Sequence, residues 1–229
     1  MRLRADPDQR HVIDTHTLDW LASPAHGVNR RMLDRVGEEV AVATSIVEYL
    51  PGCGFHAHTH GAGEEILVLR GRFSDEHGDY PAGTYLRNPP GTSHTPRPEA
   101  GCTIFVKLRQ FQAGDDQTVR VDTRNAGWRL DGVPERLWLP LHEHGGIATQ
   151  MLRWGPGITA EARDFPGGEE VLVLDGSWHD EHGDYPAGTW LRNPPGHVAT
   201  RRAGPAGVLA YQKTGHVGAR FMDDSVKAP

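Results

Sequence analysis

The chain has 229 residues with 28 Gly and 17 Pro, a formal net charge of -6 and a pI near 6.1. That glycine and proline content argues against a helical bundle and favours a turn-rich, all-β protein. The acidic balance argues against nucleic acid as a partner, because such binders need a basic surface. The sequence has neither a membrane-spanning apolar stretch nor a secretory signal, so we expect a cytoplasmic protein without a membrane partner.

Strand-forming runs alternate with turn-forming clusters along each half of the chain. In the first half the runs rich in β-branched and aromatic residues are Val40–Tyr49, Glu65–Arg70, Thr84–Arg87 and Thr103–Leu108. Clusters of Gly, Pro, Asp and Asn separate them, as at Asp75–Tyr80. Many short strands joined by tight turns, with almost no helical periodicity, predict an all-β fold of the jelly-roll barrel type.

An internal repeat divides the chain into two copies. The segment Gly63–Gly91 is identical at 23 of 29 positions to Gly168–Gly196, without a gap and at an offset of 105 residues. That period is too long for a solenoid rung, so each copy should fold as its own barrel. We predict two tandem domains, 1–117 and 118–229, the first with a metal site and the second a degenerate copy.

Two motifs in the first copy resemble those of the cupin superfamily. The first reads G-x5-His58-Thr-His60-x3-Glu64-x6-Gly71, and the second reads G-x5-Pro-Pro-Gly-x2-His94. The sequence around these motifs is similar to that of the ChrR-like cupins. These include the C-terminal domain of an anti-sigma factor and several small dioxygenases. The resemblance implies that His58, His60, Glu64 and His94 bind a metal ion, which is zinc in the ChrR cupin domain.

The spacing of these residues is physically consistent with one site. Residues i and i+2 of a strand point to the same face, so His58 and His60 can direct two imidazoles at one point. Glu64 follows a glycine-containing turn, and His94 follows the Pro-Pro-Gly turn. This donor set suits one divalent transition metal, zinc or iron above all, with nickel, manganese or copper also compatible.

Two rivals to these ligands stay open at the level of sequence. Glu65 is the neighbour of Glu64, although alignment on Gly71 favours Glu64. His56 shares a strand face with His58 and His60, but the motif leaves it outside the ligand set. We expect His56 to be exposed or to support a ligand.

The second copy retains one of the four ligands. At the offset of 105 residues His58 becomes Arg163, His60 becomes Phe165, His94 becomes Ala199, and Glu64 remains as Glu169. A lone carboxylate does not hold a divalent metal. We therefore predict that Arg163 pairs with Glu169 inside the second barrel, since a buried carboxylate without a counter-charge is costly.

The resemblance implies two functions of different classes. One is an iron-dependent dioxygenase that acts on a small diketone or hydroxyketone. The other is a zinc-binding sensor or regulatory cupin without catalytic activity, although the helical domain that carries anti-sigma activity in ChrR has no counterpart in this sequence. In either case we expect a small molecule as ligand or substrate, and the tryptophans concentrated in the second copy are compatible with a homodimer.

Overall fold

The short apolar runs of the sequence form strands that are buried over most of their length, as at Thr84–Asn88, where all five residues are buried. The computed structural model describes residues 1–219 and Phe221, and in this range the regular structure is β apart from one short 3-10 turn, Thr15–Thr17. The predicted all-β class with two tandem jelly-roll barrels is confirmed. Over the same range no helix is long and apolar enough to cross a membrane.

Two compact units make up the described chain, and neither is a continuous stretch of sequence. The first unit contains Met1–Ala5 and Leu18–Asn125, and the second contains Asp6–Thr17 and Ala126–Ala219. The division between residues 117 and 118 follows the sequence repeat and stays a prediction. The compact units differ from it because each receives a short segment that precedes the other repeat in the chain.

The first unit is built around one large antiparallel sheet. Its central order is β1-β4-β5-β11-β7-β9-β12, β3 extends β4, β8 pairs with β7, and β6 and β10 form a separate two-stranded ladder. The strands are β1 (Arg2–Leu3), β3 (Leu21–Ala22), β4 (Val28–Gly37), β5 (Ala41–Tyr49), β6 (His58–Thr59), β7 (Glu64–Asp75), β8 (Gly78–Pro81), β9 (Thr84–Asn88), β10 (Ser93–His94), β11 (Cys102–Leu108) and β12 (Val119–Asp122).

The second unit repeats this order. Its sheet runs β13-β14-β15-β20-β17-β19-β2, with β16 on β20 and β18 on β17. The strands are β2 (His11–Asp14), β13 (Arg129–Leu130), β14 (Arg136–His144), β15 (Ile147–Trp154), β16 (Thr159–Asp164), β17 (Glu169–Asp180), β18 (Gly183–Pro186), β19 (Thr189–Asn193) and β20 (Val198–Thr214).

The edge strands β12 and β2 explain the interleaved units. β12 precedes the second repeat but pairs with β9 of the first unit, from Val119 opposite Arg87 to Asp122 opposite Thr84. β2 precedes the first repeat and pairs with β19 of the second unit. Both strands end in a short Asp-Thr segment whose threonine hydroxyl donates to a glycine carbonyl, at Thr123 and at Thr15.

Apolar side chains fill the interior of each barrel. In the first unit the core includes Val47, Ile66, Leu86, Ile104 and Phe73, all less than a tenth exposed. These residues come from different strands of one sheet, so the sheet closes on its own apolar face. The ladder of β6 and β10 belongs to this unit and carries the histidines of the first motif and of the second.

Candidate metal centre

The two-stranded ladder of β6 and β10 sets the positions of the three motif histidines. His58 lies directly opposite His94 in antiparallel register, and Thr59 lies opposite Ser93. The pairing continues beyond the strands, because the backbone N–H of His60 donates to the carbonyl of Thr92 at 2.8 Å. Residues distant in sequence therefore present their side chains side by side on one face.

Glu64 reaches the same point from the first residue of β7. It follows Gly63, whose φ is +83° and where a Cβ atom would lie 2.3 Å from the ring of Phe111. Only glycine fits both the backbone conformation and that space. Across the sheet Glu64 lies opposite Asn88, whose side-chain amide donates to Glu64 Oε2 at 3.1 Å.

Glu65 does not join the cluster. Adjacent residues of a strand point to opposite faces, so Glu65 faces away from Glu64. It pairs instead with Arg87 at 3.1 Å, and Arg87 in turn pairs with Asp115. His56, the other rival, is exposed, and only its backbone carbonyl approaches the site.

Four side chains, His58, His60, Glu64 and His94, converge on one point. Each offers one ligand atom, and the four atoms all lie within 4.8 Å of one another. The Nε2 atoms of His60 and His94 are 3.2 Å apart, and Glu64 Oε2 is 3.2 Å from the first and 3.6 Å from the second. His60, Glu64 and His94 are buried, whereas His58 is half-exposed.

The hydrogen bonds outside the cluster fix the tautomer of each imidazole. Nδ1 of His58 faces the carbonyl of His56 at 2.9 Å, and Nδ1 of His94 faces a carboxylate oxygen of Asp75 at 3.2 Å. Nδ1 of His60 faces the Thr92 hydroxyl at 3.0 Å, and that hydroxyl donates to the carbonyl of Pro89. All three partners accept, so each Nδ1 donates and each Nε2 keeps its lone pair.

This tautomer assignment shows that the residues fit a metal ion. Three nitrogen lone pairs and a carboxylate oxygen directed at one point repel one another unless a cation lies between them. Three imidazoles and one carboxylate are a donor set for a divalent transition metal, and it does not select a particular one. A metal-bound histidine also characteristically donates its other ring N–H to an acceptor, as all three do.

The carboxylates of the site are ionised. Burial raises the pKa of Glu64, but positive charge at His60 and His94, which a bound metal ion would supply in place of protons, and the Asn88 amide lower it more, so the pKa lies below its ordinary value. Burial also raises the pKa of Asp75, and hydrogen bonds from His94 and from the backbone of His77 more than compensate. Asp75 is therefore a charged acceptor for the His94 N–H.

Arg120, on the edge strand β12, supports two ligands at once. Its guanidinium donates to the side-chain oxygen of Asn88 at 2.6 Å, and Asn88 holds Glu64. It also contacts Tyr80, whose hydroxyl lies 3.4 Å from Asp75. The exchange of β12 into this unit therefore supplies part of the surroundings of the candidate metal centre.

These supporting residues were not predicted from the sequence. Thr92, Asp75, Asn88 and Arg120 had no assigned role, and Asp75 was taken only as part of a turn. One signal was available, because Asp75, Tyr80 and Asn88 recur in the second copy. Phe73 also packs beside the cluster, fully buried with its ring centroid 5.7 Å from that of His94.

In the second unit the counterpart of this site is closed by an arginine, but not the one predicted. Arg163 is exposed, and its guanidinium lies over the ring of Phe165. Arg201 instead pairs with Glu169 through both terminal nitrogens. The prediction of an Arg163–Glu169 pair was wrong. Arg163 keeps the register of His58, since it lies opposite Ala199 as His58 lies opposite His94, but Arg201 already occupies both carboxylate oxygens of Glu169 and Arg163 stays exposed.

Arg201 reaches Glu169 by strand periodicity. Ala199 occupies the position of His94, and Arg201 follows it by two residues on the continuous strand β20, so both point to the same face. In the first unit β10 ends at His94, and the equivalent of Arg201 is Pro96. Burial raises the pKa of Glu169, but the charge of Arg201 lowers it by more, so the pKa lies below its ordinary value.

The family assignment follows from the whole length of the chain. The model of the ChrR cupin-like domain matches residues 8–112 and again 116–218. The chain belongs to the ChrR cupin-like family. Both copies are members of the family, and only the first brings the four motif side chains together. No curated protein matches the chain.

Solved structures resemble this ChrR-like bicupin at low sequence identity. A candidate dioxygenase from Nostoc punctiforme superposes with a TM-score of 0.78 at 16% identity, covering 98% of this chain and 89% of that one. A pirin from Escherichia coli in complex with nickel(II) gives a TM-score of 0.67 at 11% identity, covering 90% and 98%. At these identities the likeness concerns the fold.

Proposed function

We propose that the first unit binds one divalent transition metal ion through His58, His60, Glu64 and His94, and that with iron it acts as a dioxygenase on a small diketone or hydroxyketone. The convergence of three Nε2 lone pairs and the Glu64 carboxylate carries the proposal. The donor set of nitrogen and oxygen without thiolate suits iron as well as zinc.

Bound iron would supply Lewis acidity and the capacity to activate O2. The protein side chains hold and orient its ligands. Asp75, Thr92 and the His56 carbonyl fix the three imidazole rings, and Asn88 fixes the carboxylate. His58 is the half-exposed member of the set, so a substrate would approach from its side. The likeness to a candidate dioxygenase from Nostoc punctiforme agrees with this reaction class.

Oxygen uptake is the direct test. Protein reconstituted with Fe(II) is given 2,4-pentanedione or an aromatic hydroxyketone in an oxygen electrode, and we expect one O2 consumed for each carbon–carbon bond cleaved. Glu64→Gln and His94→Ala should lose this uptake, whereas His56→Ala, which changes an exposed side chain, should keep it. Iron-loaded wild-type protein that consumes no oxygen with any substrate of either class would contradict the proposal.

One observation favours a second function, a zinc-binding sensor. Four protein ligands are the number that closed structural zinc sites use. In that case zinc would stabilise the first barrel and a small ligand would modulate it. A protein that purifies with one zinc ion, melts at a markedly lower temperature after chelation and shows no turnover with iron would support the sensor over the enzyme.

A further inference from the structure

The second unit contains a cavity of about 620 Å³ on the side of its barrel where Arg201 lies. Its volume is in the range of small-molecule sites, roughly 300–1,000 Å³. Three arginines, Arg136, Arg163 and Arg201, line it together with Trp154, Trp178 and Phe165. We propose that this cavity binds a small aromatic carboxylate, independently of the metal centre in the first unit.

Among the charged residues that line the cavity, Arg163 is the one that favours an anion. Arg201 is held by Glu169, and Arg136 by Asp131 at 3.0 Å. Arg163 is exposed, and among the described residues no carboxylate lies within ion-pair distance of it. A guanidinium without its own counter-ion, at the mouth of a cavity, suits a carboxylate, which it can hold through two parallel hydrogen bonds.

Trp178 lines the cavity, but its indole Nε1 is not a donor for a ligand there. That atom is fully buried, so it is out of reach from the cavity. The described lining contains no His or Cys, so this cavity lacks the ligands of the candidate metal centre in the first unit.

The aromatic part of the ligand follows from the shape of the wall. The rings of Trp154 and Trp178 have their centroids 5.1 Å apart and are tilted by 47°. The ring of Phe165 lies between two guanidinium groups, 5.2 Å from that of Arg163 and 5.8 Å from that of Arg201. Such a wall offers flat apolar surface to a ring whose carboxylate reaches Arg163.

Glu161 gives the proposal an internal control. This carboxylate is exposed, lines the same cavity and lies two residues from Arg163 on β16. It would repel an anionic ligand. Its removal should therefore tighten the binding of a carboxylate and leave a neutral ligand unaffected, a pattern that a purely apolar pocket would not produce.

The experiment compares benzoate with its neutral analogue benzamide on the full chain at low ionic strength. Binding is followed by calorimetry and by tryptophan fluorescence, since Trp154 and Trp178 are in the wall. We expect saturable benzoate binding with a Kd on the order of 1 mM, as suits a ligand of this size. Benzamide should bind at least tenfold more weakly.

Four variants locate the site. Arg163→Gln should weaken benzoate binding about tenfold, Glu161→Gln should tighten it, and Ala162→Trp, at an exposed lining position, should block it. Arg153→Gln, an exposed arginine that lies over Trp128 outside the lining, should leave the affinity unchanged. Circular dichroism shows whether each variant is folded.

Three results would overturn the inference. They are the absence of saturable benzoate binding up to about 20 mM, equal affinity for benzoate and benzamide, or wild-type affinity in folded Ala162→Trp. If a variant does not fold, the comparison of benzoate with benzamide on the wild type decides. Replacement of His58 and His94 by alanine should leave benzoate binding intact, so this inference and the proposed metal function fail separately.

Discussion

Arg201 and Glu169 form a buried ion pair in the second unit, at the position where the first unit gathers its three histidines around Glu64. Gln212 and Asn193 donate to the same carboxylate, so its two oxygens are fully engaged. Both barrels thus retain a buried glutamate at the start of an equivalent strand. They differ in what balances its charge, a guanidinium in the second unit and a set of metal-ligand side chains in the first.

Replacement of Arg201 by glutamine should destabilise the second unit by about 3–5 kcal/mol, because Glu169 is left as a buried charge without a counter-ion. The measurement is urea unfolding followed by tryptophan fluorescence. Arg202→Gln changes the exposed neighbour and should alter the free energy of unfolding by less than about 0.5 kcal/mol. The double variant Glu169→Gln, Arg201→Met should recover more than half of the lost free energy of unfolding. Equal losses in Arg201→Gln and Arg202→Gln would contradict the prediction.

The same pair predicts a pH dependence of stability. Because the folded pKa of Glu169 lies below its ordinary value of 4.5, the stabilisation is complete above pH 4.5 and is lost as the pH falls through the folded pKa. The free-energy difference between wild type and the double variant Glu169→Gln, Arg201→Met should therefore shrink on acidification below pH 4.5. Denaturant unfolding at a series of pH values measures it. A difference that stays constant or grows at acidic pH would show that ionisation of Glu169 does not cause the pH dependence.

The barrels and the four converging side chains could be predicted from the sequence because their signals are local. Glycine and proline residues mark the ends of the strands. The spacing of His58 and His60 by two residues places both side chains on one face. The choice of Glu64 over Glu65 rests on the spacing to Gly71. Because the two copies are identical at 23 of 29 positions of the repeat, the second copy could be predicted to have the same architecture as the first.

The contacts that depend on strand length and strand pairing could not be predicted in this way. Arg163 keeps the register of His58, yet the strand that continues past Ala199 brings Arg201 to Glu169 and leaves Arg163 exposed. The pairing of β12 with β9, which delivers Arg120 to Asn88, joins segments from different repeats. Such pairings are set by tertiary contacts rather than by the residues of the strand itself.

Metal stoichiometry tests the four side chains individually. Wild-type protein loaded with Zn(II) or Fe(II) and then desalted should retain one metal ion per chain. Alanine at His58, His60, Glu64 or His94 should reduce this to a small fraction, whereas His56→Ala should retain the full amount, since its imidazole is exposed. Elemental analysis gives the ratio. A ratio near two would show that the second unit also binds, contrary to the closure of its site by Arg201.

The two cysteines should differ in reactivity. Burial raises the pKa of the Cys102 thiol to about 12, so at pH 8 only roughly one molecule in ten thousand carries its thiolate, the nucleophilic form. Cys53 is half-buried. Titration with a chromogenic disulfide at pH 8 should detect one thiol per folded chain and two after denaturation, and Cys53→Ser should abolish the reaction of the folded protein. Rapid modification of both thiols in the folded state would contradict the burial of Cys102.

Thr92 tests whether the surroundings of the imidazoles tune metal binding. Thr92→Val keeps the shape of the side chain but removes the acceptor of the His60 Nδ1–H, so the lone pair at Nε2 is no longer fixed toward the metal. We expect the metal affinity to fall roughly 10- to 100-fold. Competition with a chromogenic chelator measures it at constant pH. Thr59→Val, an exposed threonine between His58 and His60, is the matched control and should bind as wild type. Equal affinities for the two variants would show that the Thr92 hydroxyl does not orient His60.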